Sequence, residues 1–353
     1  MHGTHEQVMS AGPVAAQVGG TSGGKPSRTL SNKLTSTRLS SLRRCPRLHF
    51  YRYELGLSRT RSAAPLRVGA AFHAGLEARN RGADELVATT CALAGYEIVP
   101  AWCEPVEWAV ERETLRSLFG GHLWRYGVGA DNLEFIAVEL GFDVPLRNPD
   151  TGGISKTFTL GGKMDGIVRL DDGRLAVLEY KTAGEDISPD SDYWRRLRCD
   201  GQISLYVLAA RMLGFDVATV IYDVTRKPTI RQRQNETPEA FGERLLADIG
   251  ERPDYYYQRR EVPRLEDELT AYQAELWQQA QHLMELRRRA GKLADPSNAH
   301  FRNVSKMTCG MCEFAELCLT GVRVDPACPP TGFQVLETVH PELVELATEG
   351  VRA

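Results

Sequence analysis

The sequence predicts an α/β fold: a mixed β-sheet flanked by helices, with a helical N-terminal region and a C-terminal cysteine module. Three observations carry this reading. Segments rich in Val, Ile and aromatic residues follow the order β-β-β-α-β between residues 134 and 225, which suits helices layered on a sheet. Residues 158–182, FTLGGKMDGIVRLDDGRLAVLEYKT, read as a hairpin turned by Asp171-Asp172-Gly173. Leu269, Tyr272, Leu276, Ala280, Leu283 and Leu286 then form one stripe at helical spacing.

Element by element, residues 1–30 are rich in Gly, Ser and Ala and read as a disordered tail. Within them, Gly19 to Pro26 nearly spells a phosphate-binding loop. Pro26 stands where Ser or Thr must hold Mg²⁺, and no apolar strand precedes it, so that reading is rejected. One domain is expected over 31–320, followed by a C-terminal tail over 321–353. Its parts are a helical segment (31–130, interrupted near Pro100 and Pro105), a sheet core (131–228), a strand plus long helix (229–300) and a cysteine segment (301–320). Strands are expected at 134–146, 156–170 and 174–182, then a helix at 200–213 and a strand at 218–225. The segment 237–249 opens Thr-Pro-Glu-Ala, with a Thr cap and Pro at the first helical position. A strand-like run at 255–262 precedes the long helix at 265–289, whose apolar stripe is expected to pack on the core.

Composition sets limits. At 353 residues, 42% hydrophobic and 25% charged, the chain is ordinary for a globular protein. No apolar run approaches the length of a membrane span, and the start lacks the basic-then-apolar layout of a secretory signal. Cytoplasm with reduced cysteines is the default. A net charge of −3 argues against an overall basic nucleic-acid binder. Charge is uneven, however: Lys33 to Arg67 holds nine Lys/Arg against the single acid Glu54, interleaved with Phe50, Tyr51 and Tyr53. Cations contact phosphates and aromatics stack on unpaired bases, so Arg38, Arg43, Arg44 and Arg47 are candidate nucleic-acid contacts. The plainer reading is a solvated basic face. Arg226, Lys227, Arg231 and Arg233 form a weaker second cluster.

The hairpin carries the chemistry. A three-residue loop at 171–173 places position 165 opposite 179. Asp165, Glu179 and Lys181 then share one face. A two-residue loop would shift the register and put Tyr180 there instead. The first arrangement expects Gly173 in the left-handed region, as a bulge. Paired carboxylates suit Mg²⁺ or Mn²⁺, which polarise a phosphoryl oxygen and acidify a bound water. A neighbouring lysine can orient or deprotonate that water. The plainer reading is a cross-strand ion pair.

Further features bear on it. His73, in Gly69-Ala70-Ala71-Phe72-His73, is a candidate metal ligand. Gln202 and Tyr206 are neighbours on one helix face and can hydrogen-bond a phosphate or the lysine. Cys309-x₂-Cys312-x₅-Cys318 reads as a metal or cluster loop that a fourth thiolate would complete, with Cys45 lying far upstream and zinc the conservative inference. A disulfide framework does not fit a chain of this length and start.

The order Cys45-Pro46, Gly69-x₃-His73, Gly162-x₂-Asp165, Glu179-x-Lys181, Gln202-x₃-Tyr206 and Cys-x₂-Cys-x₅-Cys resembles the PD-(D/E)XK nuclease superfamily. Within it, the chain looks like the RecB/AddB-type branch, including the iron–sulfur exonucleases associated with CRISPR adaptation. The resemblance runs from about residue 31 to 320 and implies a restriction-endonuclease-like core. It implies a metal-dependent DNA nuclease, with His73, Asp165, Glu179 and the Tyr180 carbonyl as metal ligands. Lys181 would be the catalytic lysine, with Gln202 and Tyr206 supporting the site and the DNA strand. It also implies a 4Fe–4S cluster on Cys45, Cys309, Cys312 and Cys318, with Zn²⁺ the alternative. Glu139 occupies a place where such proteins often carry an acid. The expected function is an exonuclease on single-stranded DNA or DNA ends, in recombination or repair, phage DNA metabolism or CRISPR adaptation. The rivals are a dormant DNA-binding subunit awaiting a helicase or integrase partner, and a zinc-stabilised interaction protein.

Overall fold

The structure is a computed structural model in which residues 31–127 and 133–343 are described; the expected tail over 1–30 lies outside them. The strands are β1 (Lys33–Leu34), β2 (Leu57–Arg59), β3 (Glu134–Arg147), β4 (Ile154–Arg169), β5 (Leu175–Ala183), β6 (Val217–Arg226), β7 (Tyr257–Pro263) and β8 (Phe333–Val335). Six of them form one mixed sheet in the order β1-β4-β5-β6-β7, with β3 also paired to β4. The long central strands fall where the β-branched and aromatic runs predict them.

The hairpin register is the expected one. Gly166 pairs Leu178 and Arg169 pairs Leu175. The Gly173 N–H donates to the Leu170 carbonyl at 2.8 Å, and Gly173 has φ +85°. That value is easy for glycine and costly for a residue with a Cβ. Continued by one step, this register sets Asp165 opposite Glu179.

The edges of β4 explain why a site forms here. Leu160 pairs both Leu34 of β1 and Val144 of β3, and Gly166 pairs both Leu178 of β5 and Val138 of β3. β3 therefore runs along one edge, while β1 and β5 share the other. Among the described pairings, residues 161–165 face no strand on that shared edge. The sheet opens a notch there, and Asp165 sits at its rim.

The helices are α1 (Ser36–Arg44), α2 (Pro46–His49), α3 (Ala64–Asn80), α4 (Glu85–Leu93), α5 (Pro105–Tyr126), α6 (Asp192–Leu197), α7 (Gly201–Met212), α8 (Pro238–Glu251), α9 (Pro253–Tyr256), α10 (Glu266–Ala290), α11 (Lys306–Gly310) and α12 (Ala315–Leu319). They cover both faces of the sheet. Along β5, Val177 joins the core that holds α7 and α10, while Ala176, Leu178 and Tyr180 join the core that holds α3, α4, α5 and α8. This is the two-residue alternation of a strand. The stripe of α10, Leu269 to Leu286, is buried in the first core as its spacing predicts. A third, smaller core joins Cys45, Tyr51 and Leu57 to Phe314 and Phe333.

The segment after 320, expected as a tail, needs correction. β8 pairs antiparallel with β2, and Phe333 is buried in the third core. It clips the C-terminal end of the domain onto its N-terminal part.

Candidate active site

Three elements deliver the acidic and basic groups to the notch. The α3 helix brings His73, β4 brings Asp165, and β5 brings Glu179 and Lys181. The β4–β5 ladder ends at Gly166 and Leu178, and beyond it the Asp165 carboxylate takes the place of a strand partner. Its Oδ2 accepts the Tyr180 N–H at 2.7 Å, and its Oδ1 lies 3.3 Å from His73 Nδ1. Glu179 and Lys181 are two apart on the strand and project together. Lys181 Nζ sits 2.5 Å from Glu179 Oε1. From α7, Gln202 closes the group: its Oε1 accepts from Lys181 Nζ at 2.7 Å, and its Nε2 donates to Glu179 Oε1 at 2.9 Å and to the Tyr206 hydroxyl at 3.0 Å. Gly162 keeps this packing close. A Cβ there would come within 2.6 Å of the Phe142 ring and 3.2 Å of Tyr206.

The electrostatics are those of acids waiting for a cation. Burial pushes the Glu179 carboxyl up and Asp165 adds to the push, so Lys181 offsets them only in part. Burial works to lower the Lys181 amine, but Glu179 and Asp200 outweigh it and hold it above its ordinary value. Lys181 is therefore a fixed ammonium. It suits orienting a water or clamping a phosphate oxygen better than taking a proton. His73 is likewise held above its ordinary value: burial opposes its charge and Asp165 more than compensates. A divalent ion would reverse this balance, since an opposite charge favours the ionised carboxylates. Among the described residues, no three His, Cys, Asp or Glu side chains are already drawn together as a finished cation site. Asp165 contacts the Tyr180 amide and His73, and Glu179 contacts Lys181.

Glu139 is not the solvent-facing strand residue its plain reading suggests. Its neighbours pair Val138 with Gly166 and Leu140 with Met164, which sets it across from Asp165. Its backbone has φ +53°, and its carboxylate is 2.5 Å from Lys163 Nζ.

A family model for the PD-(D/E)XK nuclease superfamily matches residues 33–319. The chain belongs to that superfamily. It is a hydrolytic nuclease with the restriction-endonuclease-like α/β architecture, in a superfamily that generally uses Mg²⁺ or Mn²⁺. Among solved structures, the chain is similar to SSO0001, at 16% identity and TM-score 0.35 over 83% of this chain and 88% of that one. It is also similar to an exonuclease candidate from Eubacterium rectale, at 12% identity and TM-score 0.44 over 87% and 95%. No curated protein matches.

Of the arginines proposed to contact nucleic acid, two need correction. Arg38 has 0% of its surface exposed. Its guanidinium donates to the Ser31 and Lys33 carbonyls, to His49 Nε2 and to Glu54, and Arg287 of α10 reaches the same Glu54. Arg47 is buried with its Nε donating to the His300 carbonyl. A buried guanidinium bonded to the protein's own carbonyls is poorly placed to contact a phosphate. Arg44 donates to the Thr308 carbonyl, which ties it to the cysteine segment. Arg43 is exposed, with one donor on Gln279. Tyr206 is also buried. Its hydroxyl accepts from Gln202, and its burial does not favour the expected contact with a DNA strand.

Sequence reading missed a buried ion group behind the site. His122 Nε2 lies 3.1 Å from both Asp223 oxygens, and Arg259 donates to the same carboxylate. Its members come from α5, β6 and β7, and no short-range spacing joins them. The only local signal is an Asp in the otherwise apolar run of β6.

The four cysteines lie around one cavity, although they are not drawn into a finished cation site. Cys45, Cys309, Cys312 and Cys318 line one cavity, together with Tyr51, Phe314 and Leu319. All four are free thiols. The Asn303 N–H points at Cys45 Sγ from 3.4 Å, and burial pushes the Cys312 thiol up. Among the described residues no helix is long and apolar enough to cross a membrane.

Proposed function

We propose that this nuclease degrades single-stranded DNA or DNA ends as an exonuclease. The observation that carries the site assignment is the joined group Asp165, Glu179, Lys181 and Gln202 at the open edge of β4. Mg²⁺ or Mn²⁺ would be held by His73, Asp165, Glu179 and the Tyr180 carbonyl, supplying a polarised phosphoryl oxygen and a more acidic water. Lys181, fixed by Glu179 and Gln202, orients that water and offsets charge on the phosphate. The water oxygen attacks phosphorus in line, the 3′ oxygen leaves, and the product keeps a 5′-phosphate. The exonuclease mode and the DNA preference rest on the resemblance to the RecB/AddB-type branch. End-labelled single strands test them: shortening from one end supports the reading, and internal fragments from the first time point contradict it.

Metal affinity is expected to depend on pH in a definite direction. Glu179 and His73 both hold protons above their ordinary values, so a cation must displace them. Calorimetric titration with Mn²⁺ should show affinity rising between pH ~5.5 and ~7.5 with proton release. A flat profile would remove these two groups from the ligand set.

Four cysteines around one cavity support a 4Fe–4S cluster held by Cys45, Cys309, Cys312 and Cys318, with Zn²⁺ as the alternative. The four cysteines share one apolar-walled cavity, and the Asn303 N–H lies 3.4 Å from Cys45 Sγ, placed to donate to a thiolate. The cluster would join α2 to the α11–α12 segment, enclosing the catalytic sheet in one covalent loop, and its role would be structural. Anaerobically purified protein is expected to be brown, with broad absorbance near ~400 nm, and Cys312→Ser should lose both colour and thermal stability. A colourless protein carrying one zinc per chain would overturn the cluster.

A further inference from the structure

A second feature lies directly behind the reaction centre. Arg79, Asn80, His122, Tyr126, Phe135 and Tyr180 line a cavity of about 290 Å³, near the lower end of small-molecule pockets at ~300 Å³. Tyr180 connects it to the chemistry. Its backbone lies between Glu179 and Lys181 with its N–H held by Asp165, while strand alternation sends its ring to the opposite face of the sheet, into the cavity wall. The α3 helix makes a second connection. His73 and Asn80 are seven residues apart and so lie on one face, separated by about 10 Å.

The lining is selective. Among the described residues that line it, none is an acid. Aromatic rings supply flat faces, and the Asn80 amide hydrogen-bonds the Tyr180 hydroxyl in both senses, at 3.1 and 3.4 Å. Arg79 adds a guanidinium. His122 is clamped through Nε2 on Asp223, while its buried Nδ1 has no hydrogen-bond partner, and such a group in a native fold calls for an explanation. Flat rings, amide donors and acceptors and a guanidinium together suit a planar heterocycle attached to a phosphate.

We propose that this cavity receives one unpaired nucleobase of the substrate strand, within a few nucleotides of the cleaved bond. A base stacked in a duplex cannot enter it, so the cavity selects single-stranded or frayed ends. This rests on the nuclease reading above and adds where the strand is gripped.

The test uses the full chain carrying Lys181→Ala, with Mn²⁺ and single-stranded oligonucleotides containing one 2-aminopurine at successive positions. Fluorescence should change at one or two positions only, and Tyr126→Leu or Asn80→Ala should remove that change. In the cleaving protein, with Lys181 intact, Tyr126→Leu should raise KM for single strands roughly tenfold, with a smaller effect on kcat and a near-parental melting temperature. Tyr126→Phe, which keeps the ring, should restore KM. If DNA binds and wild type cleaves, but fluorescence is the same at every position, the base site is wrong and the nuclease reading stands. If wild type neither binds nor cleaves DNA, the underlying reading fails and the base site with it.

Discussion

Replacing Asp165 by asparagine should lower Mn²⁺-dependent cleavage by ~10²–10⁴-fold, the range for a positioned group at the reacting atoms, with the fold retained. The carboxylate does two things at the open edge of β4. One oxygen fixes the Tyr180 amide, and therefore the carbonyl and the side chains on either side of it. The other faces His73. Asparagine can keep the first contact through its carbonyl oxygen, so the strand stays in place. It presents an NH₂ toward His73 and the cation position, which removes a ligand charge. Weakened Mn²⁺ binding should therefore accompany the rate loss, measurable by calorimetry without turnover. Parental cleavage by a folded Asp165→Asn protein would remove this residue from the site.

Asp223→Ala is expected to have the largest effect on stability. Burial alone would push this carboxyl up, but His122 and Arg259 hold it down, to about 2. Removing it leaves an arginine and a histidine without their buried partner, which costs ~3–5 kcal/mol. That corresponds to a fall in Tm on the order of 10 °C. The sign of the pH dependence follows from the depressed value. The stabilisation from Asp223 is present above the ordinary carboxylate pKa of about 3.8 and is lost as pH falls toward about 2. Urea unfolding at pH ~3 and pH ~6 should show the difference between parent and variant shrinking at the lower pH. A variant as stable as its parent at neutral pH would show that the group contributes nothing net.

Much of this arrangement could be read from the chain because its determinants are local. Asp171-Asp172-Gly173 sets the hairpin register, and the register decides which face carries Glu179 and Lys181. The spacing Gln202-x₃-Tyr206 puts both side chains on one side of α7, where Gln202 bridges the acid and the amine. The stripe on α10 needs only helical periodicity. What stayed hidden depends on distant partners. The notch exists because two-residue β1 and hairpin-mate β5 share one edge of β4, a pairing with no local signature. Arg38 and Arg47 look like surface cations in a charge count, but burial is a tertiary property. Arg38 is enclosed by Glu54, His49 and Arg287, which only the fold brings together. The His122–Asp223–Arg259 group and the β2–β8 clip span long separations in the same way. Cys45 meets Cys309, Cys312 and Cys318 for the same reason, and only the order of motifs linked them beforehand.

The most direct test of the proposed site is Mn²⁺-initiated degradation of end-labelled single-stranded DNA, wild type beside Lys181→Ala. Lys181 is held between Glu179 and Gln202, so a melting curve of the variant run beside the assay separates loss of chemistry from loss of fold. The expected result is progressive loss of label by wild type and full-length DNA with the variant. Equal degradation by both would show that the Asp165–Glu179–Lys181 group is not where this chain cuts.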